Sequence, residues 1–146
     1  MKIAFGCDPN AMKEKEAVME VVKKLGHEVV DYGSEDPIYA NVAFKVGEAV
    51  ANKEADRGIL ICGTGIGMCI SANKVKGAYA ALLADEYSCE RSILSNNANI
   101  ACFGAFTLGI KVMETLVKNW LSYEYKTGTR SEEKVNRFVQ YDRNRG

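Results

Sequence analysis

The sequence predicts one doubly wound α/β domain, an open parallel sheet covered by helices on both faces. Three observations lead there. Short runs of consecutive apolar residues, the form taken by strands buried on both faces, recur along the chain. Segments with apolar residues at helical spacing separate them, long enough for right-handed crossovers. The 146 residues suffice for one ordinary domain with a substantial core.

Each element can be read in order. Lys2 to Cys7 is a short apolar run ending at Asp8, a buried strand. Lys13 to Leu25 carries Val18, Val21, Val22 and Leu25 at helical spacing, and Gly26 supplies the stop. His27 to Gly33 is a second strand, and Asn41 to Lys53 a second amphipathic helix. Arg57 to Cys62, the most apolar run, is the third strand. After a glycine-rich turn, Met68 to Asn73 is helical, Ala78 to Leu83 a fourth strand and Tyr87 to Ser95 a helix. Asn99 to Phe103 is a fifth strand and Leu108 to Tyr125 the longest helix. From about Ser131 the chain is a polar helical tail, expected to pack on a second subunit rather than its own core.

Composition narrows the function. Hydrophobic residues make up 47% and charged residues 26%, the balance of a soluble globular protein. The formal net charge is zero, so nucleic-acid or anionic-membrane binding has no electrostatic footprint. No apolar stretch approaches the roughly 20 residues of a membrane span. Met1 to Phe5 lacks a signal-peptide layout, and the cytoplasm is the expected compartment. The five cysteines are dispersed and form no CxxC pair, which argues against a disulfide framework or structural zinc. With His27 as the single histidine, an imidazole-based metal site is nearly excluded, and no metal or cofactor is expected.

Ligands in such sheets bind at the carboxyl ends of the strands, near the point where strand order reverses. Three loops are expected there: Cys7-Asp8, Cys62 to Gly67, and Ser95 to Asn99. The most informative is Cys62-Gly63-Thr64-Gly65-Ile66-Gly67. Its alternating glycines let backbone approach a ligand and turn several N–H groups inward. The positive end of the following helix favours an oxyanion there and a thiolate at Cys62. A base beside an anion hole is what enolisation next to a carbonyl requires. Two plainer readings stand beside this one. A dinucleotide-binding turn is disfavoured, because that fingerprint belongs to the first strand–helix turn. A merely buried cysteine is, on local chemistry alone, as good a reading as a base.

Ile61 to Gly67, followed by Ser71-Ala72-Asn73-Lys74 and Gly77, resembles the core motif of the type B ribose-5-phosphate isomerase and galactose-6-phosphate isomerase family. Ile3 to Asp8, Asn96-Asn97-Ala98-Asn99, Phe103-Gly104 and Gly128-Thr129-Arg130 extend the resemblance over nearly the whole chain. It implies a Rossmann-like homodimer or dimer of dimers with sites shared between subunits, acting on sugar phosphates without a metal through a cis-enediolate. It implies Cys62 as the base that moves the proton between C1 and C2, with Thr64 and Asp8 handling the oxygen-bound protons. Gly63, Gly65 and Gly67 would form the anion hole. Tyr39, Asn73 and Asn96 would line the sugar, and Arg130 would reach across to grip the partner site's phosphate.

The departures from that pattern are informative. Pro9 and Ser95 stand where ribose-type members have histidines, Phe106 where they have an arginine, and Ser131 and Lys134 where the C-terminal motif has a histidine and an arginine. The histidine replaced by Ser95 is the family's ring-opening group. A tetrose 4-phosphate cannot close a five-membered ring, because its O4 carries the phosphate, so it needs no such acid. The segments Ile38 to Asn41 and Tyr87 to Ala98 also resemble the members that interconvert D-erythrulose 4-phosphate and D-erythrose 4-phosphate. Arg91, Lys134 and Arg137 are the basic groups available to replace those lost, although Arg91 reads more simply as part of a solvated helix face. Ribose 5-phosphate isomerisation, a hetero-oligomer of the galactose-6-phosphate kind, and a non-catalytic sugar-phosphate-binding module are the alternatives. Cys69, Cys102 and Trp120 read as packing.

Overall fold

The computed structural model describes residues 1–146. In chain order it contains β1 (Lys2–Cys7), a 3-10 turn (Pro9–Ala11), α1 (Met12–Lys24), β2 (Glu28–Asp31), α2 (Tyr39–Ala51), β3 (Arg57–Cys62) and α3 (Ile66–Ala72). There follow β4 (Ala80–Leu82), α4 (Glu86–Leu94), β5 (Ile100–Gly104), α5 (Ile110–Ser122) and α6 (Glu132–Asn144). The five strands form one sheet in the order β2-β1-β3-β5-β4, parallel throughout. This is the expected doubly wound, Rossmann-like domain.

The strands are apolar on both faces because both faces are covered. One face buries Ile3, Phe5, Ile59, Ile61 and Phe103 against α1, α4 and α5. Trp120 of α5 is fully buried there, its indole N–H donating to Ser92 Oγ at 3.0 Å and its ring lying under the Arg57 guanidinium. The other face buries Ala4, Leu60, Cys62 and Cys102 against α2 and α3. A side chain at Gly58 would press to 2.7 Å from Val46 of α2, so this glycine lets α2 lie close on the sheet. Helix starts and stops follow local chemistry. Gly26 takes the left-handed conformation (φ +92°) that ends α1, and Asp85 caps α4 by accepting from the Ser88 amide.

Several bounds differ from the sequence reading, and α5, read as the longest helix, has 13 residues, the same as α1, α2 and α6. Helix α3 starts at Ile66 rather than Met68, because Gly65 already provides its left-handed entry. Strand β4 is shorter than the apolar run from Ala78 to Leu83, since it is an edge strand with one neighbour. The tail does not simply leave the core. The Asp142 carboxylate of α6 accepts from the Gly77 amide and the Tyr79 hydroxyl, both at 2.8 Å, and Phe138 packs on the Tyr79 ring. Burial alone would raise the Asp142 pKa. These two donors and Arg145 outweigh it and hold the carboxyl below its ordinary value.

Candidate active site

From β1 the chain crosses outward to β2 and returns to β3 on the other side, so the crevice between β1 and β3 is the switch point. Cys7 pairs in register with Ile61, which sets Asp8 and Cys62 opposite one another at the strand ends. Neighbouring strands lie about 4.8 Å apart. The Asp8 amide donates to the Ile61 carbonyl at 3.1 Å, and its carboxylate accepts from the Asn10 amide at 2.9 Å, fixing the turn.

Cys62 is nearly buried, and its Sγ accepts the Gly65 N–H at 3.1 Å. That contact requires the left-handed Gly65 (φ +81°), where an added side chain would also come within 2.9 Å of the Phe103 backbone. Thr64 is exposed, with Oγ1 accepting from the Ile66 amide at 3.3 Å. Its carbonyl fits over Gly104, the register partner of Cys62.

Tyr39 opens α2, whose start is held by Asp36 through the Ile38 amide and the Asn41 side chain. Its ring covers Gly67 so closely that a methyl group there would collide with it. Asp8 and Tyr39, distant in sequence, are therefore brought to the turn that carries Cys62, Gly63, Thr64, Gly65 and Gly67.

The other thiols are distinguished by their surroundings. Burial pushes Cys7 and Cys89 up to about 12. Burial also raises Cys102, whose hydrogen bond to Cys69 brings the latter down to about 7. No cluster of His, Cys, Asp and Glu is arranged to hold a metal ion. His27, beside the N-terminal ammonium at 3.0 Å, lies before β2, at the opposite end of the sheet from the crevice.

The remaining expected site residues stand elsewhere. Ser95 to Asn99 precede β5 and lie at its amino end, not at the carboxyl ends as read from the sequence; α4 does not return them to the crevice. Asn73 is occupied by both backbone groups of Ala80, at 2.8 and 2.9 Å. Asn96 donates to the Arg91 carbonyl and lines a groove of about 430 Å³ along the free edge of β4. Asn73, Arg91 and Phe138 line it as well. Arg130 and Lys134 are exposed, before and on α6.

Phe106, read from the sequence only as a departure, and Arg91, read more simply as a solvated helix face, stand differently in the structure. Phe106 lays its ring against Gly63 and forms one wall of the turn, a role with no periodic signal. Arg91 is half-buried rather than solvated, and its bond to Ser95 was legible only as an i, i+4 spacing on α4.

The crevice thus sets a thiol whose sulfur accepts an amide across from a carboxylate, at a turn with three glycines. The comparisons agree in sequence and in fold. The model of the Ribose/Galactose Isomerase family matches residues 3–138. The ribose-5-P isomerase B of Listeria innocua is 42% identical over 145 residues, covering 97% of each chain. The D-erythrulose-4-phosphate isomerase 2 of Mycolicibacterium smegmatis is 42% identical over 148 residues, again covering 97% of each. The solved ribose-5-phosphate isomerase B of Clostridium thermocellum superposes with a TM-score of 0.91 at 36% identity, covering 98% of both chains. The chain belongs to the Ribose/Galactose Isomerase family and is a sugar-phosphate isomerase.

Proposed function

We propose that this isomerase interconverts D-erythrulose 4-phosphate and D-erythrose 4-phosphate, with Cys62 as the base. The observation that carries the substrate assignment is the place of His27, the chain's one imidazole, at the far end of the sheet from Cys62. No histidine of this chain can open a sugar ring, so an acyclic tetrulose phosphate is the fitting substrate. In the forward direction Cys62 takes a proton from C1 and returns it to C2. Between these steps the amides of Gly63 and Gly67 hold the enediolate oxygen, while the Gly65 amide, expected from the sequence to join them, stays on Cys62 Sγ. Asp8 and Thr64 carry the proton from the C1 hydroxyl to the oxygen on C2. Arg130 and Lys134, exposed on the tail, hold the phosphate of a second copy's site, with Asn96 on a substrate hydroxyl; a homodimer or dimer of dimers in the cytoplasm follows. The equal similarity to a ribose-5-P isomerase B makes ribulose 5-phosphate the competing substrate.

The test is kcat/KM of the metal-free protein on both ketoses, before and after Cys62→Ser. Preference for the tetrulose, with kcat on the tetrulose lowered by about 10³-fold or more in the variant and KM nearly unchanged, is expected. Preference for ribulose 5-phosphate overturns the substrate assignment, and an active variant overturns the base.

A further inference from the structure

Lys15 of α1 carries its charge into a buried place, with only 3% of its surface exposed. Its Nζ donates to both carboxylate oxygens of Asp31, at the end of β2, each at 2.8 Å. An ion pair taken this far out of water adds little net stability, because desolvation offsets most of the attraction. What it fixes is geometry. Asp31 Oδ1 also accepts the Gly33 amide at 2.9 Å, which closes the turn after β2 with Gly33 at φ +120°. The Gly33 carbonyl in turn accepts the Cys7 amide at 3.1 Å.

The regular register of β1 with β2 ends at Phe5 and Asp31. The turn therefore carries the support of β1 onward to Cys7, and the next residue is Asp8. Burial pushes the Cys7 thiol up to about 12, with Lys15 opposing the rise and Asp8 and Asp31 adding to it. The ammonium and both carboxylates thus act on the same strand end. We infer that Lys15 is a positioning residue: through Asp31 and the Gly33 turn it holds the end of β1, so that Asp8 stands where the substrate's oxygens exchange their proton. The inference rests on the role proposed above for Asp8. Lys15, buried and occupied by Asp31, acts only through this chain of bonds. A misplacement of about 1 Å can cost about 10²-fold in rate, so a support remote from the crevice is still read in kcat.

The test follows the better of the two ketoses above in deuterated water. It compares isomerisation with deuterium entry at C1 of the recovered ketose. Cys62 makes the enediolate, whereas Asp8 is needed for it to go forward. A misplaced Asp8 therefore lets the enediolate return to ketose with a solvent deuteron. Asp8→Asn sets the reference, lowering kcat and raising the ratio of exchange to isomerisation. Lys15→Met leaves behind only the half-exposed Asp31 carboxylate. It is expected to lower kcat about tenfold, with KM within about twofold, and to raise the ratio in the same direction. Gly33→Ala disturbs the same turn through its positive φ alone, since nothing lies within 4 Å of the added carbon, and gives the same signature to a smaller extent. In the Asp8→Asn background, Lys15→Met lowers kcat no further. Exchange and isomerisation that fall together, an unchanged kcat in a folded Lys15→Met, or additive losses overturn the inference. Gly33→Ala decides alone if Lys15→Met does not fold, and parent values in it overturn the inference as well. An Asp8→Asn protein with the parent's ratio overturns the role of Asp8 itself, and the inference with it.

Discussion

The crevice between β1 and β3 is made mostly of backbone, whereas the groove along β4 is made of side chains. In the crevice, three glycines, two strand ends and the Gly65 amide do the positioning, and the proposed chemistry needs only Asp8, Cys62 and Thr64. In the groove, Asn73, Arg91 and Asn96 supply hydrogen bonds, but there is no base. In the proposed mechanism the first region moves the protons and takes its phosphate-holding cations from the tail of another copy. The second, in the same proposal, contributes Asn96 to the sugar and no base. Two such halves make one working site when two copies meet, which is the assembly proposed above.

Complementation is the most severe way to break that comparison. Cys62→Ser and Arg130→Ala are each expected to be nearly inactive. Unfolded and refolded together, they should recover about a quarter of the parent activity, because half of the random dimers carry one intact site out of two. No recovery would mean that each copy builds its site alone.

Gly65→Ala tests whether the crevice depends on backbone. The left-handed φ and the approach to Phe103 should cost about 1–3 kcal/mol of stability, read by urea denaturation. Activity should fall further than that, because the Cys62–Gly65 contact is lost. A fully active variant would remove the backbone from the mechanism.

Asp142→Ala should have the smallest effect, about 1–2 kcal/mol, by releasing α6 from Gly77 and Tyr79. Its folded-state pKa lies below the unfolded value of about 3.9. The carboxylate's contribution is therefore complete above that value and is lost as pH falls through the lower folded one. Melting temperatures of parent and variant should converge in that acid window. No gap at neutral pH would assign the docking to Phe138 rather than to Asp142.

Strands and helices were legible because their signals are local: unbroken apolar runs, helical spacing, and Gly26 as a stop. The crevice was legible for a similar reason, since the turn from Cys62 to Gly67 is contiguous and the parallel register brings Asp8 to it. What could not be read were contacts between segments distant in sequence. Nothing local says that Asn73 faces Ala80, that Phe106 covers Gly63, or that Asp142 reaches Gly77. The exchange of β4 and β5 in the sheet also has no local signal, and it is what makes β4 an edge.

That edge has a consequence for how the protein survives at high concentration. An open strand offers bare N–H and C=O groups on which other chains can polymerise. The main-chain groups of Ala80 face outward, and the Asn73 amide satisfies both, so one side chain stands in for a missing strand. With only three residues in β4, one such decoy blocks much of the template. Protection against aggregation is thereby written into a position that, by family resemblance, belongs to the sugar.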